Sequence, residues 1–510
     1  MPNLAVNAGP GTGKTYSATS IPKYLRATNK EAFLNNHPNT EEQRAIWEWV
    51  EKEIKVVDSE GKPKIPTFLY AAYNADMVPE VQPMVPPFKQ PYGVDVRTIH
   101  GAGYKILNSK YGYLKINQNR GTHIVEKITG KNFFQMKDRF QWLSSLRFIE
   151  KLKDECLPPT PENFQAMKDK YDGLANMVIH SDSVAQCTEI IKMMGTIDRS
   201  IGIEYIDQVW LAMFLCKKPI YDIGIIDEAQ DLSPARLLLV QRMCANLIFV
   251  GDPDQAINAF AGADPHAFDK IRAICHAELP LKVSFRNPPN IVEKANNLML
   301  KRIIPDKKKR VLLKGIKTEK GEEKQITYNT LLKELPDTLS SALIICRYNA
   351  PLISCALKLF KEKVPCTILG KSLVTELKNI VNGRKASNLA ELDHKLDAYE
   401  EFSCKSVPAH IQDVIKDKIT CIRQVMSVCE EIDDIPEMLK TMFTPSKDEQ
   451  HIQLCTGHKS KGKERENVFI LFPPIESKHA HTDEQRQQEM NLHYVMITRT
   501  KQNLYWVHPA

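Results

Sequence analysis

The feature that most constrains this chain is a glycine-rich segment close to its N-terminus. Its eight residues are Ala8, Gly9, Pro10, Gly11, Thr12, Gly13, Lys14 and Thr15. The apolar run 4–6 before it predicts a buried strand, and we expect a helix to begin near Lys14. A loop of this kind wraps a polyphosphate with its backbone N–H groups, and the helix start adds a favourable dipole. The loop therefore predicts a phosphate site in which Lys14 reaches the outer phosphates and Thr15 holds Mg²⁺. One departure is Ala8, where the usual pattern has glycine.

Length and composition set broad limits on the rest. A chain of 510 residues is too long for one ordinary core, so we expect two to four domains. The net charge of 69 − 62 = +7 permits a nucleic-acid partner without requiring one. Twelve cysteines lie scattered without a Cys-x-x-Cys pair, which favours neither a zinc site nor a disulfide framework. We see no signal peptide and no apolar run of membrane-spanning length, so we expect no membrane association and a cytoplasmic location, with the nucleus left open.

Strand-like and helix-like segments alternate along the chain, which predicts parallel α/β sheets. A proline-rich stretch at 79–91 is expected to be loop. Two long segments without strand patterns, 110–205 and 371–450, are interpreted as helical insertions. After the first strand, the predicted strands are 67–73, 94–99, 223–228, 246–252, 342–346, 452–455, 468–471 and 504–507.

An acidic pair ends one of these strands. Asp227 and Glu228 follow the apolar run 223–226. A strand-end carboxylate beside a phosphate loop is placed to bind Mg²⁺, and the next carboxylate can activate the attacking water. The alternative is a solvated acidic turn.

Three further residues carry weaker signals. Gln255, in a loop after another strand, could position water or sense the γ-phosphate, although a plain loop is the alternative. Arg286 and Arg499 lie at the edge of the second α/β region. An arginine that approaches the γ-phosphate stabilises charge in the transition state, whereas either arginine alone would be an ordinary surface residue.

The order of these motifs is more specific than any one of them. It runs through the phosphate loop, Thr98-Ile99-His100, Asp227-Glu228-Ala229-Gln230-Asp231, Gly251 to Gln255, Phe285-Arg286, His458 to Glu464, and Thr498-Arg499. In the order and the residue identities of these motifs, the chain resembles the superfamily 1 DNA helicases of the UvrD/Rep type, in a compact form, over residues 4–507.

The resemblance implies a two-part motor with ATP as substrate. Its fold class would be α/β, with two RecA-like parallel-sheet motor domains of the phosphate-loop NTPase type and two helical insertions. ATP would sit between the motor domains, and single-stranded DNA or the tail of a duplex would cross both. The implied domains are 1–109 with 206–280, the insertion 110–205, 281–370 with 451–510, and the insertion 371–450.

The resemblance also implies residue roles. Lys14 and Thr15 would contact nucleotide and Mg²⁺, with Asp227 as the other Mg²⁺ contact. Glu228 would be the catalytic base. The γ-phosphate sensors would be Gln255, Arg286 and Arg499. Phe285 would stack on adenine and Glu464 would contact ribose. The implied DNA contacts are Tyr73, Asn74, Thr98, His100, Phe260, Thr456 and His458.

Two departures from the family pattern leave alternative functions open. The family usually carries an adenine-reading glutamine segment upstream of the phosphate loop, and the similar segment 40–46 here, with Gln43, lies downstream. We therefore expect weak base selectivity. The second insertion is short, so ATP-driven movement is a firmer expectation than unwinding. The alternatives are a translocase that displaces proteins with little unwinding and a nucleotide-dependent DNA-binding switch without a motor cycle.

Overall fold

The computed structural model divides the chain into two compact units, Met1–Lys282 and Val283–Ala510. The described residues are 2–87, 93–171, 174, 177–257, 266–303, 311–334, 342–405, 407, 409–444, 451–472 and 482–509.

The first unit is built on a six-stranded sheet in which every pairing is parallel. Its strands are β1 (Leu4–Ala8), β2 (Phe68–Ala72), β3 (Val94–Thr98), β4 (Tyr221–Ile226), β5 (Cys244–Gly251) and β6 (Ala277–Leu281). Their order across the sheet is β3-β2-β4-β5-β1-β6. Because all strands run the same way, the residues that follow β1, β2, β3, β4 and β5 meet at one edge of the sheet.

Helices cover both faces of this sheet. On β1, Leu4, Val6 and Ala8 join one apolar cluster while Ala5 joins the other, as the two-residue period of a strand requires. The helices are α1 (Lys14–Arg26), α2 (Lys30–Asn36), α3 (Glu41–Glu53), α4 (Met77–Val81), α5 (Ile99–Tyr111), α6 (Arg120–Thr129), α7 (Arg139–Glu155), α8 (Pro161–Lys170), α9 (Ser183–Met194), α10 (Asp207–Leu215), α11 (Pro234–Met243) and α12 (Ala267–Ile274).

The segment from α6 to α9 has a core of its own. Phe148, Phe164 and Ile190 belong to an apolar cluster that is separate from the two clusters on the sheet. A buried ionic group ties this segment to α10. Asp207 is fully buried, and its carboxylate accepts from Arg120 at 2.5 Å and from Lys153 at 2.8 Å.

The second unit holds another six-stranded parallel sheet, in the order β11-β12-β10-β13-β14-β9. The strands of this unit are β7 (Val283–Ser284), β8 (Lys314–Gly315), β9 (Glu323–Thr327), β10 (Ala342–Cys346), β11 (Cys366–Ile368), β12 (Ile452–Thr456), β13 (Arg465–Leu471) and β14 (Thr500–His508). The two short strands β7 and β8 pair only with each other among the described residues.

The helices between β11 and β12 pack into the same core as the sheet of this unit. Leu377, Ile422 and Leu439 belong to one apolar cluster with Ile344 and Leu454 of the sheet. The helices are α13 (Pro289–Leu300), α14 (Tyr328–Glu334), α15 (Asn349–Lys361), α16 (Lys371–Arg384), α17 (Leu389–Cys404), α18 (Ala409–Met426), α19 (Asp434–Phe443) and α20 (Asp483–Ile497). Asp417 fixes α18 against α15, because its carboxylate accepts from the backbone N–H groups of Asn349 and Ala350.

The predicted α/β class with two parallel sheets is confirmed, and one local prediction is wrong. The stretch 79–91 was expected to be loop, but α4 and a short 3₁₀ turn, Gln82–Met84, occupy its first part. Pro79 is tolerated there because it lies in the first turn of α4, where a backbone N–H has no partner within the helix. Leu281 pairs with Ala8 in the first sheet, so the first unit extends slightly past residue 280. The finer division into insertions remains a prediction.

Candidate functional site

The phosphate loop joins β1 to α1 in the conformation that its glycines allow. Gly11 and Gly13 have φ values of +69° and +76°, a region that residues with a Cβ seldom adopt. The hydroxyl of Thr12 donates to the carbonyl oxygen of Gly9 at 2.8 Å and closes the turn. Among the described residues, no side chain caps α1, so the positive end of its dipole faces the loop without a side-chain acceptor. Lys14 and Thr15 are the first two residues of this helix.

Tyr70 on β2 connects the loop to the acidic pair. The Tyr70 hydroxyl donates to Asp227 Oδ2 at 2.8 Å. The hydroxyl of Thr15 lies within hydrogen-bonding reach of the Tyr70 hydroxyl. Thr15 and Asp227 therefore both lie beside the hydroxyl of Tyr70. Tyr70 itself was not singled out from the sequence.

The chemistry of this pair fits Mg²⁺, which prefers oxygen ligands and keeps several waters and phosphate oxygens in its shell. Burial raises the pKa of Asp227 to about 6, with a further contribution from the charge of Glu228 and an opposing one from Lys14. A divalent cation would stabilise the charged form of such a buried carboxylate. Among the described residues, no group of three His, Cys, Asp or Glu side chains forms a metal site by itself. When bound, Mg²⁺ would supply charge neutralisation at the phosphates.

Glu228 lies in an unusual backbone conformation. Its φ of +50° falls in the left-handed region, which costs energy for a residue with a side chain and recurs at functional sites. One carboxylate oxygen lies 4.0 Å from Lys14 Nζ. The other accepts from Gln230 Nε2 at 2.5 Å. The carboxylate is thus held between a cation and an amide.

A network of side chains extends from Glu228 to Gln255. Gln230 Oε1 accepts from the backbone N–H of Asp252 at 3.0 Å, and Gln255 Nε2 donates to Asp252 Oδ2 at 2.7 Å. Burial raises the pKa of Asp252, and the positive charge of Lys14 counteracts it. A Cβ on Gly251 would lie 2.5 Å from Gln230 Oε1, so a side chain there would displace the Gln230 amide. Sequence reasoning missed Gln230 and Asp252 as positioning residues, although both lie inside motifs it had identified.

In the second unit, the predicted residues Arg286 and Glu464 form an ion pair. Lys501 Nζ lies 3.1 Å from the other oxygen of Glu464, and Arg286 also donates to the carbonyl oxygen of Thr498 at 3.2 Å. Burial raises the pKa of Glu464, but the positive charges of Arg286 and Lys501 outweigh this effect, so the pKa is lowered overall. Phe285, next to Arg286, is 43% exposed and can offer a ring face. The structure thus brings Phe285, Arg286 and Glu464 near the end of α20.

Arg499 follows α20 and is 2% exposed. Its Nε donates to the carbonyl oxygen of Val495 at 2.8 Å, and its Nη2 lies 3.2 Å from Thr498 Oγ1. These bonds hold the guanidinium against the last turn of α20, where a cation also complements the helix dipole.

Four of the predicted DNA contacts lie at the end of β3 or just after β2 and β3 in the first unit. Tyr73 is 38% exposed, and Asn74 Oδ1 accepts from the backbone N–H of Met77 at 3.0 Å. Thr98 caps α5, since its hydroxyl accepts from Gly101 N at 3.0 Å. His100 is buried beneath another ring. All four lie at the sheet edge that carries the phosphate loop.

The remaining predicted DNA contacts fall in two places. Thr456 ends β12 and is buried, and His458 lies in the short 3₁₀ turn Gly457–Ser460 that follows. Burial, with the nearby charge of Arg347, lowers the pKa of His458 to about 4. Phe260 lies outside the described residues, within 258–265.

Gln43 is engaged inside the first unit. Its Oε1 accepts from Thr40 N at 2.9 Å in a capping box, and its Nε2 donates to Ser17 Oγ at 3.0 Å. Both ends of the amide therefore have partners on α3 and α1.

Comparison with known families finds two matching regions. Residues 216–275 match the UvrD/REP helicase N-terminal domain, and residues 373–508 match the UvrD-like helicase C-terminal domain.

Within the described ranges, no helix combines the length and apolar character needed to cross a bilayer.

Curated proteins with similar sequences are longer than this chain. The F-box DNA helicase protein 1 of Schizosaccharomyces pombe is 25% identical over 56% of this chain and 33% of its own length. The F-box DNA helicase 1 of Gallus gallus is 22% identical over 86% of this chain and 44% of its own. The RecBCD enzyme subunit RecB of Escherichia coli is 35% identical over 15% of this chain and 7% of its own. The chain thus spans less than half the length of these relatives.

Proposed function

Since the chain belongs to the UvrD/Rep type of superfamily 1 helicases, we propose that it is a DNA-dependent ATPase that translocates on single-stranded DNA and separates strands. The observation that supports this most is the group at the carboxyl edge of the first sheet. There Glu228 lies between Lys14 and Gln230, and Gln230 in turn reaches Asp252 and Gln255. A purely structural acidic turn would need neither the strained backbone of Glu228 nor this network.

The proposed hydrolytic step divides roles among these residues. Lys14 and the loop N–H groups would hold the phosphates, while Thr15 and Asp227 would hold Mg²⁺. Glu228 orients and deprotonates the attacking water, and Gln255 responds to the terminal phosphate. Arg286 and Arg499 are proposed to stabilise the negative charge of the transition state.

The proposed path of DNA uses residues that tolerate any sequence. Exposed aromatic rings such as Tyr73 can stack on every base, because every base has a π face. Thr98 and Thr456, which end β3 and β12, would contact the sugar–phosphate backbone of the DNA. The direction we propose is 3′ to 5′, as the resemblance implies.

A translocase with little unwinding is the second candidate, and one observation favours it. The insertion α16–α19 shares an apolar core with the sheet of the second unit. An insertion packed in this way is less suited to act as a separate strand-separating element.

Tailed duplexes test the proposal and separate the two candidates. We expect ATP-dependent unwinding of a duplex with a 3′ tail and none with a 5′ tail. The translocase would instead displace streptavidin from a biotinylated strand while leaving the duplex paired. Lys14→Ala serves as the ATP-binding control. Unwinding from a 5′ tail alone would overturn the proposed direction, and a protein that hydrolyses ATP without either readout would be a switch.

A further inference from the structure

Tyr70 is a fully buried tyrosine in the middle of β2, and apolar packing on one face of the first sheet holds its ring. Val6 of β1 and Ile21 of α1 belong to the same apolar cluster. Along the sheet, Tyr70 pairs with Ile225 of β4, two residues before Asp227. The packing of the ring therefore fixes where the hydroxyl lies, close to the end of β4.

The hydroxyl of Tyr70 has two polar neighbours, and their chemistry sets the direction of each hydrogen bond. An ionised carboxylate can only accept, so the hydrogen of Tyr70 goes to Asp227 Oδ2 at 2.8 Å. The Thr15 hydroxyl lies within hydrogen-bonding reach of the Tyr70 oxygen. Since Tyr70 has no second hydrogen to give, Thr15 is the donor in that bond. The three groups thus form a directed chain from Thr15 through Tyr70 to Asp227.

This chain decides which part of the Thr15 hydroxyl faces a ligand. A hydroxyl has one hydrogen and two lone pairs, and a hard cation such as Mg²⁺ binds the oxygen through a lone pair. While the hydrogen of Thr15 is directed to Tyr70, the lone pairs point elsewhere. Without that acceptor, the hydroxyl could rotate and turn its hydrogen towards the cation, which would weaken binding.

The carboxylate of Asp227 is held through both of its oxygens. Oδ1 accepts from the backbone N–H of Glu228 at 2.9 Å, and Oδ2 accepts from Tyr70. Two donors on different oxygens fix the plane of the carboxylate, and each oxygen has a second acceptor position. Contacts of this kind, one step removed from the metal, orient its ligands and tune their affinity.

We propose that Tyr70 is a positioning residue for Mg²⁺, which orients the Thr15 hydroxyl and the Asp227 carboxylate so that both present oxygen lone pairs to one cation. The inference rests on the proposed function, in which Thr15 and Asp227 would hold this ion. Tyr70 itself would touch neither the cation nor the nucleotide. A tyrosine with a merely structural role would support nucleotide binding equally with and without Mg²⁺.

The test measures how much the metal adds to nucleotide binding by the full chain. Tyr70→Phe removes only the hydroxyl and keeps the ring. Tyr221→Phe is the matched control, because the buried Tyr221 begins β4 and its hydroxyl donates to Asp95 Oδ2 at 2.7 Å, at the opposite edge of the same sheet. Binding of a fluorescent, non-hydrolysable ATP analogue is measured by anisotropy at saturating Mg²⁺ and in EDTA. The ratio of the two dissociation constants gives the contribution of the metal.

We expect Mg²⁺ to strengthen binding about tenfold less in Tyr70→Phe than in the wild type, within the usual loss when an outer contact of a metal ligand is removed. Tyr221→Phe should show the wild-type ratio. In EDTA all three proteins should bind the analogue alike, because Lys14 and the loop are unchanged, and this result also shows that Tyr70→Phe is folded.

Two results would overturn the positioning role. One is a wild-type ratio in Tyr70→Phe, which includes an equal loss of affinity in both conditions. The other is the same fall of the ratio in Tyr221→Phe. A wild type that binds the analogue in neither condition would instead overturn the proposed function.

Discussion

The side-chain amide of Gln230 donates to the carboxylate of Glu228, with Nε2 and Oε2 2.5 Å apart. The other end of the same amide accepts from the backbone N–H of Asp252. One glutamine thus couples the loop after β4 to the loop after β5. The backbone of Glu228 lies in the strained left-handed region, and the hydrogen bond from Gln230 holds the direction of its carboxylate.

We therefore predict that Gln230→Ala lowers turnover by about tenfold or more while ATP affinity changes little. The variant keeps the base but loses the group that orients it, and orientation is part of what general-base catalysis needs. Steady-state ATPase assays with saturating DNA give kcat and KM separately. Gln165→Ala, on the exposed surface of α8, is the control. An unchanged kcat for Gln230→Ala would show that the hydrogen bond has no positioning role.

The second prediction concerns Glu228 as the base. Glu228→Gln should bind ATP and DNA but lose about 10²-fold to 10⁴-fold in hydrolysis, the usual contribution of a general base. Lys14→Ala should lose both binding and turnover. Binding of a fluorescent ATP analogue and steady-state turnover separate the two defects. Near-normal turnover in Glu228→Gln would remove the base assignment.

The third prediction concerns Arg499. Arg499→Ala should cost about 10³-fold or more in turnover, as for other arginines that stabilise the transferring phosphoryl group, with a smaller effect on ATP affinity. Since Arg499 also bonds the last turn of α20, thermal melting must show that the variant is folded. Arg486→Ala, in the first turn of α20 and exposed, is the matched control. Normal DNA-stimulated turnover in folded Arg499→Ala would leave only a structural role.

The fourth prediction concerns the choice of nucleotide. A site rejects wrong bases strongly only when it hydrogen-bonds the base edge. Gln43 already satisfies both ends of its amide with Thr40 and Ser17. We expect GTP to be hydrolysed within about tenfold of ATP in kcat/KM, a gap of ~1.4 kcal/mol. A preference for ATP above about a hundredfold that disappears in Gln43→Ala would mean that this residue reads adenine.

The fifth prediction concerns pH and His493. Burial and the charge of Lys294 lower the pKa of this histidine to about 4, from an unfolded value near 6.5. Between these values the unfolded chain binds the proton and the folded chain does not, so stability falls as the pH falls through this window. The loss at pH 5 is about 2 kcal/mol at most.

Urea unfolding at pH 7.5 and pH 5.0 checks this. His493→Phe keeps an aromatic ring against Trp506 and removes the titrating group. We expect the variant to lose less stability than the wild type between the two pH values. Equal losses in both proteins would contradict the linkage.

The central strands could be predicted from the sequence, whereas several edge strands could not. β10 is an unbroken apolar run that is fully buried, and such a short run is typical of a central strand in a parallel sheet. β6 contains a proline and β9 is mostly polar and exposed, as strands at the edge of a sheet are. Their pairing depends on neighbours that are remote in sequence, so local patterns do not reveal it.

The same limit applies to the site. Lys14 and Glu228 could be proposed because each lies in a local motif with a chemical reason. Tyr70 could not, because its role comes from a contact to Asp227 that lies more than a hundred residues away in the sequence. A local motif does not reveal which remote side chains hold its residues in position.

The most direct test of the account is ATPase activity with and without single-stranded DNA. We expect wild-type turnover to rise severalfold when oligo(dT) is added, and Glu228→Gln to stay near background in both conditions. Rates that are equal with and without DNA in the wild type would contradict a DNA-dependent motor.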